Sequence, residues 1–281
     1  MDPTNHLNEG QFQKFSRLIY DQLGIHIQSV KKEMLKTKLD KLMRQQGIAS
    51  YDEYYQRLTR DGKPEDWVRF SDEITINKTD FFRENHHFEF IQKQLQNIMD
   101  LNPRIQKEGM IRVWSAGCST GEEPYTLAMV LRETLPAAIQ VKILATDLSH
   151  RVLVAAQRGV YNAADVAVIN PYYLQRYFSR QRDAWKVTQE IKDLITFRQF
   201  NLMDHFPFQN KFDMIFCRNV MIYFDPQTQQ DLVNRFYDVL IPGGLFFIGH
   251  SESLTNKRHH FQYLQPTIYR KNTKAGGRYI S

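Results

Sequence analysis

Apolar positions in the first 75 residues recur at helical spacing in four blocks. Over 8–23, Phe12, Phe15, Leu18, Ile19 and Leu23 share one face, with Asn8 placed as N-cap and Gly24 as the stop. A second helix is predicted from about Ser29 to Gln46, with the stripe Met34, Leu35, Leu39, Leu42 and Met43 and a stop at Gly47. Ser50-Tyr51-Asp52-Glu53 reads as a capping box that opens a third helix through Leu58. Pro64 stands at a first turn ahead of Trp67, Phe70 and Ile74, which predicts a fourth. An all-α domain is therefore expected over 1–76.

The pattern then changes. Ile76-Asn77-Lys78-Thr79-Asp80-Phe81-Phe82-Arg83 fits neither the helical nor the strand period cleanly. Its apolar pair suits a plug at a domain junction, and its polar residues suit a loop closing over a ligand. A helix from Glu84 to Met99 (Phe88, Ile91, Leu95, Ile98) completes a connecting segment over 77–100. From Met110 onward, strand-length apolar runs alternate with helical ones. Met110–Trp114 precedes a helix carrying Tyr125, Leu127, Ala128, Val130 and Leu131, and Val141–Asp147 follows. Ser149 caps a helix to Gln157, ended by Gly159. Strands Leu194–Phe200 and Phe212–Cys217, a helix over 227–240, strand Leu245–Ile248 and a last strand near Thr267–Arg270 complete the series. Such alternation predicts an α/β domain with a doubly wound sheet over 101–271. Residues 160–192 interrupt it with Pro171, aromatics and β-prone pieces near Tyr177–Ser179 and Trp185–Thr188, which predicts a small inserted β-element. Residues 272–281 are expected to form a disordered tail.

The chemistry concentrates at Val113-Trp114-Ser115-Ala116-Gly117-Cys118-Ser119-Thr120-Gly121-Glu122-Glu123-Pro124-Tyr125. A glycine-rich turn between strand and helix lets backbone approach a ligand, and the helix start favours polar or anionic groups. Asp147 ends the next strand roughly 20 residues or more beyond that turn, where nucleotide-binding folds place the acid that accepts ribose hydroxyls. Asn201 and Asn219 likewise follow strand ends, where open α/β sheets bind their ligands. A nucleoside site is the expectation. The spacing is G-x-S-x-G and not G-x-G-x-x-G, which disfavours a nucleotide-dependent dehydrogenase.

Composition narrows the classes. At 281 residues, 42% hydrophobic with 19 Phe, the chain is long enough for two cored domains and has no apolar run of membrane-spanning length. Its first residues lack a basic start and an apolar segment, so no signal peptide and no membrane insertion are expected. Two cysteines, Cys118 and Cys217, point to reduced thiols and a cytoplasmic location. Cys118 reads as a small residue in a tight turn, with an activated thiolate as the alternative. The nine His show no metal spacing such as H-E-x-x-H, so no metal is expected.

A net charge of +6 and a pI of about 9.1 invite a nucleic-acid partner. The lysines are dispersed, however, and no base-reading pattern occurs, so an acidic protein partner fits better. Over 31–44 six cations (Lys31, Lys32, Lys36, Lys38, Lys41, Arg44) face two acids (Glu33, Asp40), a run that suits either a solvated face or a docking face.

The segments Asn77–Arg83, Ser119–Tyr125, Phe216–Phe224 and Gly249-His250-Ser251-Glu252-Ser253 together resemble the CheR family, the chemotaxis receptor glutamate O-methyltransferases. The resemblance runs from about residue 10 to 271. It implies a class I methyltransferase domain with an all-α N-terminal domain and a small inserted antiparallel β-subdomain. It also implies S-adenosylmethionine as cofactor, with S-adenosylhomocysteine as product. Cofactor contacts are implied at Asn77, Thr79, Arg83, Glu122, Asp147, Asn201, Leu202, Arg218 and Asn219. Ser115 and Ser119 stand where methyltransferases usually carry an acid and a middle glycine, while Asp147 keeps its place.

The implied reaction is methylation of chemoreceptor glutamates to γ-methyl esters, which sets adaptation in chemotaxis. A glutamate carboxylate, with a pKa near 4.3, is already the nucleophile at neutral pH. Arg83 is expected to orient it by a bidentate pair, and Tyr223 to hold one of its oxygens. The alternative is a regulatory nucleoside-binding module without turnover. The expected partner is the cytoplasmic helical domain of a chemoreceptor, met by basic helix 29–46, with the enzyme acting as a monomer. The connection Arg180-Gln181-Arg182-Asp183-Ala184 lacks glycines and predicts no need for a receptor C-terminal tether.

Overall fold

The computed structural model describes residues 6–273. The expected tail lies, from residue 274, outside the described residues. Helices α1 (Glu9–Leu23), α2 (Lys32–Gln46), α3 (Tyr51–Gln56) and α4 (Pro64–Ile74) form the N-terminal domain. Its ends follow local chemistry. Asn8 and Gln11 cap α1 reciprocally, Gly24 and Gly47 end α1 and α2 in left-handed conformation, and Ser50 Oγ accepts from Glu53 N. Glu53 reaches Ala49 N where a full capping box would use the Ser50 N–H. Phe12, Phe15, Ile19, Leu35, Leu39, Tyr51, Tyr54 and Phe70 make the core of this domain.

After α5 (His86–Leu101), α6 (Pro103–Glu108) leads into β1 (Met110–Ala116), α7 (Glu122–Thr134), β2 (Gln140–Asp147) and α8 (His150–Arg158). The insertion follows as β3 (Val160–Asn162), α9 (Ala163–Val166), α10 (Pro171–Tyr177), β4 (Phe178–Gln181), β5 (Ala184–Val187) and α11 (Gln189–Lys192). Then come β6 (Ile195–Gln199), β7 (Phe212–Cys217), α12 (Pro226–Val239), β8 (Leu240–Ile248), β9 (Phe261–Gln265) and β10 (Ile268–Lys271). The main sheet has the order β6-β2-β1-β7-β8-β10-β9, parallel from β6 to β8 and antiparallel where β10 pairs β8 and β9. Strand order reverses between β1 and β7, so the crevice at their carboxyl ends is the topological switch point.

The insertion is a separate antiparallel sheet, β3-β5-β4. Most of the segment Arg180–Ala184 is strand, leaving a two-residue turn at Arg182-Asp183 with Arg182 at φ 48°. Helix α6 and strands β3 and β9 were not expected from the sequence, and α5 starts two residues later than its apolar pattern suggested. Phe82 and Glu84 adopt φ 53° and 56°, which breaks the helical path there.

Several α2 cations are engaged inside the domain. Lys36 pairs with Asp40 at 2.7 Å and Lys41 with Glu73 at 2.7 Å. Lys38 Nζ donates to the α4 terminal carbonyls of Glu73 (2.5 Å), Ile74 (3.1 Å) and Thr75 (3.4 Å). Burial lowers the Lys38 pKa, so the site costs desolvation and returns carbonyl satisfaction. Lys38→Met keeps the stem and orphans those carbonyls. It should lower unfolding free energy by about 1–3 kcal/mol in urea titration. Lys41→Met, which removes a more exposed pair, should cost under about 1 kcal/mol. Equal losses from both would refute the capping role of Lys38.

Candidate functional site

A cleft of about 320 Å³ lies over the carboxyl ends of β1, β2, β6 and β7. Its floor is Gly117, Ser119, Asp147, Asn201, Leu202 and the turn Arg218–Phe224, and its roof comes from residues 23–34 and 74–80 of the N-terminal side. The two sides are pinned together around the cleft. Asn201 Nδ2 donates to Gln22 O (2.8 Å) and His26 N to Tyr223 O (2.8 Å). Ser119 Oγ donates to Asn77 O (2.8 Å), and Ser149 Oγ to Asp72 Oδ1 (2.6 Å).

The turn after β1 is built by backbone. Gly117 N and Cys118 N both donate to Thr146 O, at 2.8 and 2.9 Å. Gly117 sits at φ 84°, and a Cβ on it would lie 2.4 Å from Val220 Cγ2. The requirement for glycine there comes from the protein's own β7 turn. Ser119, at φ 48°, turns its N–H onto Asp147 Oδ2 (2.9 Å), and Ser149 N reaches Asp147 Oδ1 (2.9 Å). Asp147 is 8% exposed and has no ion-pair partner among the described residues. Burial pushes its carboxyl up and those N–H groups oppose the shift. A buried carboxylate at a cleft wall, held only by backbone donors, suits hydroxyl donors of a ribose.

Across β1 from Asp147, at the end of β7, lies a charged lattice. The Arg218 guanidinium reaches Glu84 Oε2 (3.3 Å), Glu123 Oε2 (3.4 Å) and the Arg83 carbonyl, with its face 5.6 Å from the Phe88 ring centroid. Arg83 donates to Lys78 O (2.9 Å) and to Asn219 Oδ1 (2.6 Å), while Asn219 Nδ2 donates to Glu84 Oε1 (3.1 Å). Tyr223 sits in a 3₁₀ turn, Met221–Tyr223, half-buried on the cleft. Burial raises its pKa and the Arg83 charge opposes the rise, so the hydroxyl stays a protonated donor at neutral pH.

Of the residues picked from the sequence, Asn77, Thr79, Arg83, Asp147, Asn201, Leu202, Arg218, Asn219 and Tyr223 all line this cleft. Glu122 does not. Its carboxylate is 7% exposed and accepts from Thr120 Oγ1, while the next acid, Glu123, lines the cleft and accepts from Ser115 Oγ at 2.7 Å. That bond also gives Ser115 a role where the usual acid is missing. The Asn201 amide is spent on Gln22 O and Met203 N, and its carbonyl accepts from Asp204 N. Cys118 is 1% exposed and burial pushes its thiol up, which removes the activated-thiolate reading. Sequence reasoning missed Glu84 and the roof residues His26, Ile27, Lys31 and Met34; Glu84 carried one signal, its place beside Arg83.

Among the described residues no helix is long and apolar enough to cross a membrane. The chain matches the CheR methyltransferase SAM binding domain over residues 77–270 and the CheR methyltransferase all-alpha domain over 10–75. It is 35% identical over 272 residues to the chemotaxis protein methyltransferase of Borreliella burgdorferi, covering 95% of this chain and 96% of the relative. Against the Escherichia coli chemotaxis protein methyltransferase it is 36% identical, covering 94% and 91% respectively. Against chemotaxis protein methyltransferase 1 of Pseudomonas aeruginosa it is 38% identical, covering 90% and 94%. The chain therefore belongs to the CheR methyltransferase family, and it is an S-adenosylmethionine-dependent methyltransferase.

Proposed function

We propose that this enzyme methylates glutamate side chains of chemoreceptors to γ-methyl esters, and so sets adaptation in chemotaxis. The observation that carries the reading is the division of one cleft. Asp147 ends β2 without a cation, on one flank of β1, while Tyr223 and the Arg83–Asn219 pair stand with the charged lattice after β7, on the other flank. An arginine at the acceptor side attracts a carboxylate and repels an ammonium, which favours an acidic acceptor over a lysine. When bound, S-adenosylmethionine supplies a methyl group on an electrophilic sulfonium and is left as S-adenosylhomocysteine.

Asp147 would take the ribose hydroxyls, with the backbone at Gly117, Ser119, Asn201 and Leu202 shaping the rest of the nucleoside pocket. Asn77, Thr79, Arg218 and Asn219 fit the remaining polar contacts, and Glu123 fits better than Glu122 by its place on the wall. The acceptor needs no base, because glutamate is ionised at neutral pH. Arg83 and Tyr223 then act by orientation, the guanidinium pairing with the carboxylate and the phenol donating to one of its oxygens. The N-terminal roof excludes water from the reacting atoms.

Basic helix 29–46 would meet the acidic helices of a receptor. Lys36 and Lys38 are spent on partly buried internal partners; Lys41, although paired with Glu73, and Arg44 are more exposed, so the docking charge falls to them. The short Arg182-Asp183 turn supports methylation without a C-terminal receptor tether.

The deciding experiment incubates the enzyme with labelled S-adenosylmethionine and receptor-bearing membranes. Base-labile methyl label should appear on the receptor, at a similar rate when its last residues are removed. Cofactor binding without label on the receptor would overturn the assignment of receptor glutamates as acceptors. Asp147→Ala should weaken S-adenosylmethionine binding by about tenfold or more, since a charge-assisted hydrogen bond contributes about 1.5–3 kcal/mol. Unchanged affinity by calorimetry would remove Asp147 from the cofactor site. Reversing Lys41 and Arg44 to Glu should raise the receptor KM and leave cofactor affinity intact, and added salt should raise the wild-type KM. A KM indifferent to both changes would return the helix to a solvated face.

A further inference from the structure

The acid that follows β8 has no part in the chemistry above. Glu252 is 9% exposed, and its carboxylate accepts four backbone N–H groups. These are Gly249 at 2.5 Å, Met221 at 2.7 Å, Asn219 at 2.9 Å and Val220 at 3.0 Å. Convergent backbone N–H groups make an anion-binding nest, and here the protein fills the nest with its own carboxylate. Glu252 has no ion-pair partner among the described residues, so these donors alone hold its charge. Burial pushes the carboxyl up and the four N–H groups oppose that shift.

Three of the four donors belong to the turn that carries Arg218, Asn219 and Tyr223. Asn219 sits at φ 60°, a left-handed conformation that a non-glycine residue keeps only when its surroundings hold it. A Cβ on Gly249 would lie 2.2 Å from Asn219 Nδ2 and 2.7 Å from Asn219 N, so β8 approaches this residue closely. Asn219 is thus clamped by Glu252 through its backbone, and by Glu84 and Arg83 through its side chain. Tyr223 lies two residues beyond Met221 in the same turn.

The geometry points to Glu252 as a positioning residue for methyl transfer. Its carboxylate fixes the Asn219–Met221 backbone, and through it the Tyr223 hydroxyl and the Asn219 side chain that holds Arg83, the two groups that meet the acceptor being Tyr223 and Arg83. This rests on the assignment of Tyr223 and Arg83 to the acceptor side. A purely structural staple would cost stability and leave the kinetics of folded enzyme unchanged.

The test is a double-mutant cycle on kcat with Glu252→Gln and Tyr223→Phe, with thermal melting and cofactor calorimetry on each variant. Glu252→Gln keeps the shape and turns one acceptor oxygen into an NH₂ that opposes the donors. It should lower kcat by about 10- to 100-fold, as a small displacement of an orienting group does, with a much smaller change in cofactor affinity. Glu252→Asp, which keeps the charge, should recover part of that loss. In the Tyr223→Phe background, Glu252→Gln should have little further effect. A full additive loss there would overturn the inference while leaving the proposed reaction standing, as would an unchanged kcat in Glu252→Gln. If Tyr223→Phe alone leaves kcat unchanged, the acceptor reading and this inference fall together. Should Glu252→Gln not fold, Glu252→Asp carries the same cycle.

Discussion

Arg218 is 7% exposed, and its guanidinium must satisfy Glu84, Glu123 and the Arg83 carbonyl together. Those partners come from two places: the linker just before α5, which supplies Arg83 and Glu84, and the first turn of α7, which supplies Glu123. One cation at the end of β7 therefore ties the linker, the glycine-turn helix and the switch point of the sheet into one arrangement. Removing a single member of such a buried set costs about 3–5 kcal/mol, because the others are left charged and unpaired. The Coulomb gain holds Glu84 below the ordinary carboxylate range even though burial pushes the other way. Arg83 and Asn219 inherit their positions from this set.

The second constraint is coverage. The carboxyl edge of a parallel sheet exposes strand-end backbone, and here the N-terminal domain supplies the cover. Its polar contacts are local: Asp72 with Ser149 and Arg151, Gln22 with Asn201, His26 with Tyr223, beside the apolar packing of Ile25 and Leu148. Asn201 and Tyr223 line the cleft themselves, and Ser149 follows Leu148, which does. The cleft and the domain interface are consequently one surface, and the small domain lines the candidate site directly. The same economy explains α2, whose Lys38 closes the end of α4 and so shapes residues 74–75 of the roof.

Much of this was legible in the sequence. Helix ends at Asn8, Gly24, Gly47 and Pro64 follow from local capping and propensity, which need no tertiary partner. The alternation of strands and helices, the doubly wound class and the strand-end placement of Asp147, Asn201 and Asn219 follow from periodicity together with a general rule of open sheets. Strands β3 and β9 were not legible. Val160–Asn162 spans only three residues, and its β-character depends on pairing with Lys186, Trp185 and Ala184. Phe261–Gln265 lies at the outer edge of the sheet and pairs only with β10.

Side-chain assignments divided along the same line. Residue type and strand-end position placed Asp147, because a strand carries its last residue to the edge whatever surrounds it. Glu122 and Glu123 are adjacent acids in one first turn, and about 100° of helical rotation sends one toward Thr120 and the other to the cleft. Asn201 lines the cleft at its strand end, yet only the packed domains show its amide given to Gln22. Gly117 was read as making room for a ligand, and the structure adds Val220 as the atom it must avoid. Sequence determined which groups stand at the strand ends. Tertiary structure decided which atoms remain for chemistry, because a buried donor or acceptor is claimed by whatever partner the fold brings within reach.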